Sequence, residues 1–481
     1  MHMHRAIALI IFAAAAVAGG QAQDAGEFQR QRQQMIADFS NFRQGIIADY
    51  ARFLGEAWDR YQVFSGKKYY PGKKPDTQPR QPSGGNADGG KPTPVQPQQI
   101  VKKPAVPAVK PVQPAVVKPA AQSATFSLYG TRFKAPKITV NQLASMSEAD
   151  ISKCWAALQR SRVYEAVAPS LQAICEAGAL SDWLAFVAVR KYADALCPGD
   201  INTSIVLSHY LLVNMGYDIR LGRTNSQMAL LVNFKQMVYA RPYITIGGNK
   251  YFVFLGETGR LTKDFSGMSS CRLPQDAALG AAVNLVMRPP KLSGGVTQAF
   301  HAQASGIEVS GEYDTAIKQI AGEYPQTDIP VYAASSLSQQ LRSRLIEQIR
   351  PQVAGKTEKE AVNQILHFVQ NAFKYETDGS QFGYERPFFV EENFIHPAND
   401  CEDRAILFAF IIKNVMHLDV HLINYPNHEA TAVAFTDQSM AGDGYEYRGK
   451  RYLICDPTFI GASLGRCMPQ YRSVKPTVQL W

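Results

Sequence analysis

The chain has 481 residues, of which 46% are hydrophobic and 19% charged, with a formal net charge of +9. A chain of this length and composition can bury more than one apolar core, and its length indicates about three structural units. The positive charge does not indicate a nucleic-acid partner, because much of it falls in a Pro- and Lys-rich stretch without a core. We therefore expect several folded units and no nucleic-acid binding.

Residues 1–22 have the pattern of a secretory signal peptide. His4 and Arg5 precede the apolar run AIALIIFAAAAVAGG, and Gly20 to Ala22 offer small residues at the cleavage spacing. The run is too short to span a bilayer, and no other segment is apolar for long enough. We expect an exported protein, periplasmic or extracellular, without a membrane span.

Residues 23–65 are predicted to form an amphipathic helix. Aromatic residues recur every eleven positions, at Phe28, Phe39, Tyr50 and Tyr61. Eleven residues are close to three helical turns, so the aromatic side chains form a nearly straight stripe. Two interpretations stand equally: the stripe packs on the chain's own globular part, or it mediates self-association or docking to another protein.

Residues 66–123 are predicted to be a disordered linker. The composition changes to Pro, Lys, Gln, Val and Gly, with PAVPAVKPVQPAVVKPA at its centre. Such a stretch cannot bury a core and is expected to be extended. A spacer is the commoner use of this composition, and a Pro-rich recognition site is the alternative.

Residues 399–416, NDCEDRAILFAFIIKNVM, place Cys401 at the start of an apolar run with helical periodicity. A helix N-terminus and a nearby imidazolium both favour the thiolate. His428 precedes the strand-like run ATAVAF, and Asp456 ends the strand-like run YLICD. Adjacent antiparallel strands would bring this imidazole and this carboxylate together. Cysteine, histidine and aspartate thus supply a nucleophile, its base and the group that orients the base.

The surroundings of Cys401 are acidic. Asp400, Glu402 and Asp403 oppose thiolate formation, but the same residue types cap the first turn of a helix. The Cys401 backbone amide is one expected oxyanion donor. No His/Cys spacing fits a structural zinc site, and we predict no cofactor and no metal. The candidates for the second oxyanion donor are Gln381, Tyr384 and Asn399.

The motifs DCEDRA, then NH at a strand start, then DPT after a strand resemble the transglutaminase-like superfamily of cysteine enzymes. The DCED sequence is most similar to the bacterial transglutaminase-like cysteine proteases that act in the periplasm. The resemblance covers roughly residues 357–460 and implies a papain-like fold with Cys401, His428 and Asp456 as the triad. The pair Asn399 and Asp400 before the cysteine and Glu429 after the histidine depart from the usual superfamily pattern, which leaves hydrolysis and acyl transfer both open.

An internal duplication is predicted on either side of residue 292. Residues 205–234 align without a gap with residues 406–435 at an offset of 201 (406 − 205). We expect a degenerate copy over residues 124–292 and a catalytic copy over 293–481. The first copy is expected to be a scaffold or a substrate-binding platform. At this offset Cys401 falls on Asp200, His428 on Gln227 and Asp456 on Leu255.

Two further expectations concern the cysteines and the approach to Cys401. Six cysteines remain once Cys401 is set aside, four in the first copy and two in the second. In an oxidising compartment this partition suits two disulfides in the first copy and one in the second. The aromatic-rich segment 382–394, FGYERPFFVEENF, suits one wall of a substrate groove, although aromatic residues more often serve the core.

Together these patterns predict an α+β protein with a papain/transglutaminase-like core in two tandem copies, preceded by a helix and a linker. The expected function is a secreted cysteine protease or amidase that acts on a protein or peptide through an acyl-enzyme. A crosslinking transglutaminase is the alternative with the same chemistry. A non-catalytic adaptor with a vestigial triad is the alternative without it.

Overall fold

A computed structural model describes residue 74 and residues 77–81, 96–97, 99–104, 122–256, 267–271, 273 and 280–481. The predicted signal peptide and aromatic helix, residues 1–22 and 23–65, lie outside the described residues. The described residues all belong to one compact unit, which is α+β as expected. In the described ranges, no helix is both long and apolar enough to cross a membrane.

The first half of this unit packs helices on a five-stranded sheet with the order β6-β7-β5-β4-β8. Helix α4 starts where Asp200 Oδ1 accepts a hydrogen bond from the Thr203 amide at 3.0 Å. The elements are β1 (Gln99–Val101), β2 (Ser123–Leu128), β3 (Thr131–Pro136), α1 (Glu148–Arg160), α2 (Val163–Ala177), α3 (Asp182–Leu196), α4 (Ile201–Asn214), β4 (Ile219–Arg223), β5 (Met228–Asn233), β6 (Tyr243–Ile246), β7 (Asn249–Phe254) and β8 (Ser269–Ser270).

The second half builds a six-stranded sheet with the order β1-β17-β13-β14-β16-β15. A capping box, in which the Thr357 side chain accepts from the Glu360 amide and the Glu360 side chain accepts from the Thr357 amide, starts the helix that follows Thr357. The elements are β9 (Thr297–Ala304), β10 (Ile307–Asp314), α5 (Ala316–Glu323), α6 (Ile329–Ala334), α7 (Gln339–Val353), α8 (Glu358–Asn371), β11 (Lys374–Tyr375), α9 (Asp378–Gln381), β12 (Ala398–Asn399), α10 (Cys401–Ile411), β13 (Asp419–Tyr425), β14 (His428–Ala434), β15 (Gly444–Tyr447), β16 (Lys450–Cys455) and β17 (Thr477–Gln479).

The two sheets share strand order and register at a constant displacement of 201 residues (420 − 219). Strands β6-β7-β5-β4 follow the same antiparallel order as β15-β16-β14-β13. In each half one central helix packs on the sheet, α4 on β5 and α10 on β14. The corresponding pairs are Ile219–Val232 with Val420–Val433, Leu230–Phe254 with Thr431–Cys455, and Tyr243–Phe252 with Gly444–Leu453.

Helix α10 is buried along its whole length. Every residue from Cys401 to Ile411 is buried, because the helix lies between the second sheet and helices α6 and α8. Truncating a buried Phe to Ala costs about 3–5 kcal/mol. Side chains such as Phe408, which is fully buried, therefore fix the position of the helix and of the cysteine at its start.

Short stretches of the predicted linker differ from the disorder expected for residues 66–123. Strand β1 pairs in parallel with β17, and Arg80 forms an isolated parallel bridge with Ile460. The edge of a sheet presents unpaired amide and carbonyl groups, which an extended chain can satisfy without a core of its own. A composition that cannot fold alone is thus ordered here by the second half of the unit.

The cysteines also differ from expectation. All seven are free, so the predicted disulfides are not formed. Cys455 lies in the core between sheet and helices, whereas Cys467 packs with Tyr425 in a separate apolar cluster. The two side chains thus belong to different cores. Free cysteines are commonly buried among apolar side chains. Burial therefore accounts for the positions of these cysteines without disulfides.

Candidate active site

Cys401 is the first residue of α10, at the end of the helix where free amide groups point outward. Asp400 precedes the helix, and Asp403 Oδ2 accepts a hydrogen bond from the Asp400 amide at 3.1 Å. Asp403 Oδ1 accepts another from the Phe388 amide at 2.8 Å. The capping role expected of the acidic neighbours is therefore confirmed for Asp403, which ties the helix start to the segment before it.

His428 and Asp456 lie in contact. His428 opens β14, Asp456 follows β16, and these strands are antiparallel neighbours. His428 Nε2 lies 2.8 Å from Asp456 Oδ2, and both side chains are buried. Asp456 Oδ1 accepts the Thr458 amide at 2.9 Å, which fixes the carboxylate. Tyr471 stacks on the imidazole with a centroid distance of 5.4 Å and planes 7° apart.

The thiol of Cys401 is directed to its acidic neighbour. Sγ donates to Glu402 Oε2 at 3.1 Å. The backbone amide of Glu429, the residue after His428, opposes the rise in the pKa of this thiol. His428 Nδ1 is buried and has no hydrogen-bond partner among the described residues. Burial and the charge of Glu402 raise the pKa of the Cys401 thiol well above its ordinary value. In this arrangement the thiol is protonated.

A carboxyl cluster lies beside the thiol and holds an ammonium group from the linker. Lys74 Nζ lies 3.0 Å from Asp400 Oδ2 and 2.6 Å from Glu402 Oε1, and it also pairs with Glu385 Oε1. Asp378, Glu385 and Glu402 are close enough to share a cation. Carboxylate oxygens of this kind also ligate metal ions, and Lys74 supplies a positive charge to two members of this trio, Glu385 and Glu402.

Two further buried polar residues, which are not among the predicted site residues, hold the site together. Arg404 Nε donates to Asn399 Oδ1 at 2.8 Å, and its Nη2 donates to the Phe373 carbonyl at 2.8 Å. Gln370 Nε2 donates to the Asp456 carbonyl at 3.0 Å. A signal was present for Arg404, because it is a charged residue inside the apolar run of α10. Gln370 carries no such signal.

The three oxyanion candidates have different surroundings. Asn399 donates to Asn393 Oδ1 at 2.7 Å and accepts from Arg404, so its amide group is already engaged. Gln381 Oε1 is buried without a hydrogen-bond partner in the described part of the chain. Tyr384 lines a cleft between the two halves, together with Tyr239. A donor role for these residues stays a prediction.

The aromatic segment before Cys401 serves mainly the core. Phe388, Phe389 and Phe394 are buried, so the alternative interpretation of this segment applies to them. Glu392 accepts Arg386 Nη2 at 2.5 Å inside the segment. Only the part around Tyr384 borders the cleft.

The equivalent positions of the first half have no nucleophile. Asp200 caps α4, where the second half has Cys401. Gln227 Nε2 donates to the Leu255 carbonyl at 2.6 Å, the contact that corresponds to His428 with Asp456. The contact between the two strands is thus kept, but neither a base nor a carboxylate forms it.

Comparison with protein-family models finds no match, and searches among curated proteins and solved structures find none either. What the site does must therefore be argued from its own geometry.

Proposed function

We propose that this protein is a cysteine protease or amidase, which cleaves a peptide or amide bond through an acyl-enzyme. Cys401 is the nucleophile, His428 the base and Asp456 the group that orients it. The observation that carries the proposal is the buried His428–Asp456 pair, in which His428 Nδ1 has no hydrogen-bond partner among the described residues. The next residue, Glu429, has its backbone amide close enough to affect the pKa of the Cys401 thiol.

The proposed reaction starts with rotation of the thiol from Glu402 toward His428 Nδ1. The imidazole takes the thiol proton, sulfur attacks the carbonyl carbon, and the amide of Cys401 at the helix start stabilises the oxyanion. The imidazolium then gives its proton to the leaving amine, and a thioester remains on Cys401. Water, deprotonated by His428, releases the acid and the free thiol. Asp456 holds Nε2 of the ring throughout, which leaves Nδ1 available to the sulfur.

A papain/transglutaminase-like core in two tandem copies is the proposed architecture behind this site. The shared strand order, the equal register at one displacement, and the equivalent central helices support a duplication. The first copy would then be a scaffold that contributes Tyr239 to the wall of the cleft. We also propose an exported, periplasmic or extracellular location. Partner binding by the N-terminal helix stays a prediction.

A specific observation favours a second candidate, acyl transfer to an amine. Lys74 shows that a lysine side chain can reach the residue next to Cys401, as the acceptor lysine of a crosslinking enzyme must, although Lys74 itself is held there as a cation. The two candidates differ in the fate of the thioester. Adding a primary amine to a reaction diverts the acyl group to an amide product in an acyltransferase and leaves the products of a hydrolase unchanged.

The deep burial and the raised pKa of the thiol also agree with the adaptor alternative, so the test must detect chemistry directly. The full chain and its Lys74→Ala variant are each incubated with a complex peptide mixture, and new termini are identified by mass spectrometry. We expect new termini that vanish in Cys401→Ala and persist in the control Cys175→Ser, which alters a free thiol of the first half. Absence of Cys401-dependent termini both in the unaltered chain and in the Lys74→Ala variant would overturn the enzyme proposal.

A further inference from the structure

A stretch of the linker lies along the candidate active site. Gln78 Nε2 donates to the Gln370 carbonyl at 2.8 Å. The Pro79 carbonyl accepts the Ile460 amide at 2.9 Å, and the Gln81 amide donates to the Ile460 carbonyl at 2.9 Å. Ile460 belongs to the loop that follows Asp456. The linker therefore binds beside the triad as a short extended stretch, through two backbone hydrogen bonds to Ile460 and one from the Gln78 side chain.

The ammonium of Lys74 fits the carboxyl cluster in number and geometry. An ammonium has three N–H donors, and Lys74 meets three carboxylates, those of Glu385, Asp400 and Glu402. Asp400 and Glu402 are almost fully buried, whereas Glu385 is 19% exposed. Asp400 Oδ1 is buried and has no partner among the described residues. Buried carboxylates without a cation are costly, so the cluster is built to receive one.

The charge of Lys74 decides whether this lysine acts as an acyl acceptor or is bound only as a cation. Burial by itself would lower the pKa of Lys74, but Asp400, Glu385 and Glu402 together raise it well above its ordinary value. A protonated amine has no lone pair with which to attack a thioester. In this position a lysine is therefore held as a cation and does not act as an acyl acceptor.

We propose that Glu385, Asp400 and Glu402 form a subsite for the ammonium of a lysine-like side chain in the substrate, and that Lys74 and residues 77–81 occupy this subsite and the adjoining strand edge as an internal pseudosubstrate. This inference rests on the proposed function and names its substrate class: a peptide in extended conformation with a primary ammonium close to the scissile amide.

The thiol geometry agrees with an occupied, closed site. While Lys74 is bound, Cys401 Sγ bonds to Glu402 and is not bonded to His428 in the described part of the chain. Release of the linker frees the carboxyl cluster and the Ile460 edge together, because both are held by one short stretch of chain. A substrate lysine then takes the place of Lys74.

The first test measures binding and does not depend on catalysis. Calorimetry of the full-length Lys74→Ala variant uses N-acetyl-lysine methylamide, with N-acetyl-norleucine methylamide as the uncharged analogue. We expect the lysine compound to bind at least tenfold more tightly than the norleucine compound. Wild type and Lys102→Ala, which alters an exposed linker lysine, should bind it at least tenfold more weakly than Lys74→Ala does. Equal affinity for both compounds would overturn the subsite.

The second test places the subsite at the thiol. Peptidyl chloromethyl ketones with lysine or norleucine at the reactive position label Cys401, and the ratio of the two rates cancels differences in thiol reactivity. We expect a lysine preference of at least tenfold in Lys74→Ala that falls to near one when Glu385→Gln is added. A ratio unaffected by Glu385→Gln would overturn the inference and leave the nucleophile standing. Lysine-selective binding without Cys401-dependent cleavage would overturn the enzyme proposal and leave the ammonium site standing.

Discussion

Gln370 Nε2 donates to the backbone oxygen of Asp456 at 3.0 Å, which joins helix α8 to the loop that carries the carboxylate. The same nitrogen donates to the Ala462 carbonyl at 2.9 Å, and Oε1 accepts the Gly461 amide at 3.1 Å. One buried side chain thus satisfies three backbone groups of this loop. The Gln370 carbonyl also accepts Gln78, so α8 connects the loop to the linker.

Gln370→Met should destabilise the protein although the side chains have similar volume. The loop groups that Gln370 satisfies would be buried without partners, and we expect a loss of about 2–4 kcal/mol in the free energy of unfolding. Urea denaturation measures this loss. The control is Asn371→Ala, an exposed neighbour with a local hydrogen bond. Equal stability of the two variants would contradict the role of Gln370.

Asp456→Asn should abolish most activity while the fold persists. The amide oxygen can still accept the Thr458 amide, which currently donates to Asp456 Oδ1 at 2.9 Å. The amide nitrogen can donate to the imidazole and thereby favour the wrong tautomer. We expect kcat to fall about 10²–10⁴-fold. The substrate for this measurement is a peptide whose cleavage is found with the complex peptide mixture described above. Asp437→Asn changes an exposed carboxylate and should leave kcat unaltered.

Local sequence patterns were sufficient to predict the start of α10 at Cys401 and two antiparallel strands, one of which begins at His428 while the other ends just before Asp456. Those features depend on apolar periodicity and on short turns, which a single sequence displays. The offset of 201 found in the sequence also relates the registers of the two sheets, because register follows the alternation of buried residues.

The interactions that complete the site are not local, and no periodicity predicts them. Lys74 lies in a stretch whose composition indicates disorder, and only the carboxyl cluster of the folded part gives it a position. Tyr471 stacks on His428 from a short turn near the C-terminus. Likewise, the disulfide prediction from the compartment failed because apolar packing accounts for Cys455.

Glu429→Gln should stabilise the protein at alkaline pH. Burial raises the pKa of Glu429 to about 8, whereas an unfolded chain has a glutamate pKa of about 4.3. The folded state binds this proton more tightly, so the contribution of Glu429 to stability is full below about pH 4.3 and is lost as pH rises toward 8. Glutamine can still accept Asn424 Nδ2, which now donates at 2.9 Å.

At pH 9 we expect the Glu429→Gln variant to exceed wild type by about 2–4 kcal/mol in unfolding free energy, and at pH 4 by almost nothing. Urea titrations at both pH values provide the comparison. Glu446→Gln, an exposed residue of β15, should show no difference at either pH. A gain for Glu429→Gln of the same size at both pH values would mean that its effect does not arise from the buried charge.

Lys74→Met should destabilise the protein more at pH 8 than at pH 5. At pH 8 the ammonium compensates Asp400 and Glu402, and its removal leaves buried carboxylates unpaired, which costs about 2–4 kcal/mol. Burial and Glu402 already raise the pKa of Asp400 to about 7 although Lys74 opposes the shift. At pH 5 the carboxyls of the variant take up protons, so the loss is smaller. Urea denaturation at both pH values measures the difference, and Lys102→Met is the control. An equal loss of stability at pH 5 and pH 8 would contradict the ion-pair role of Lys74.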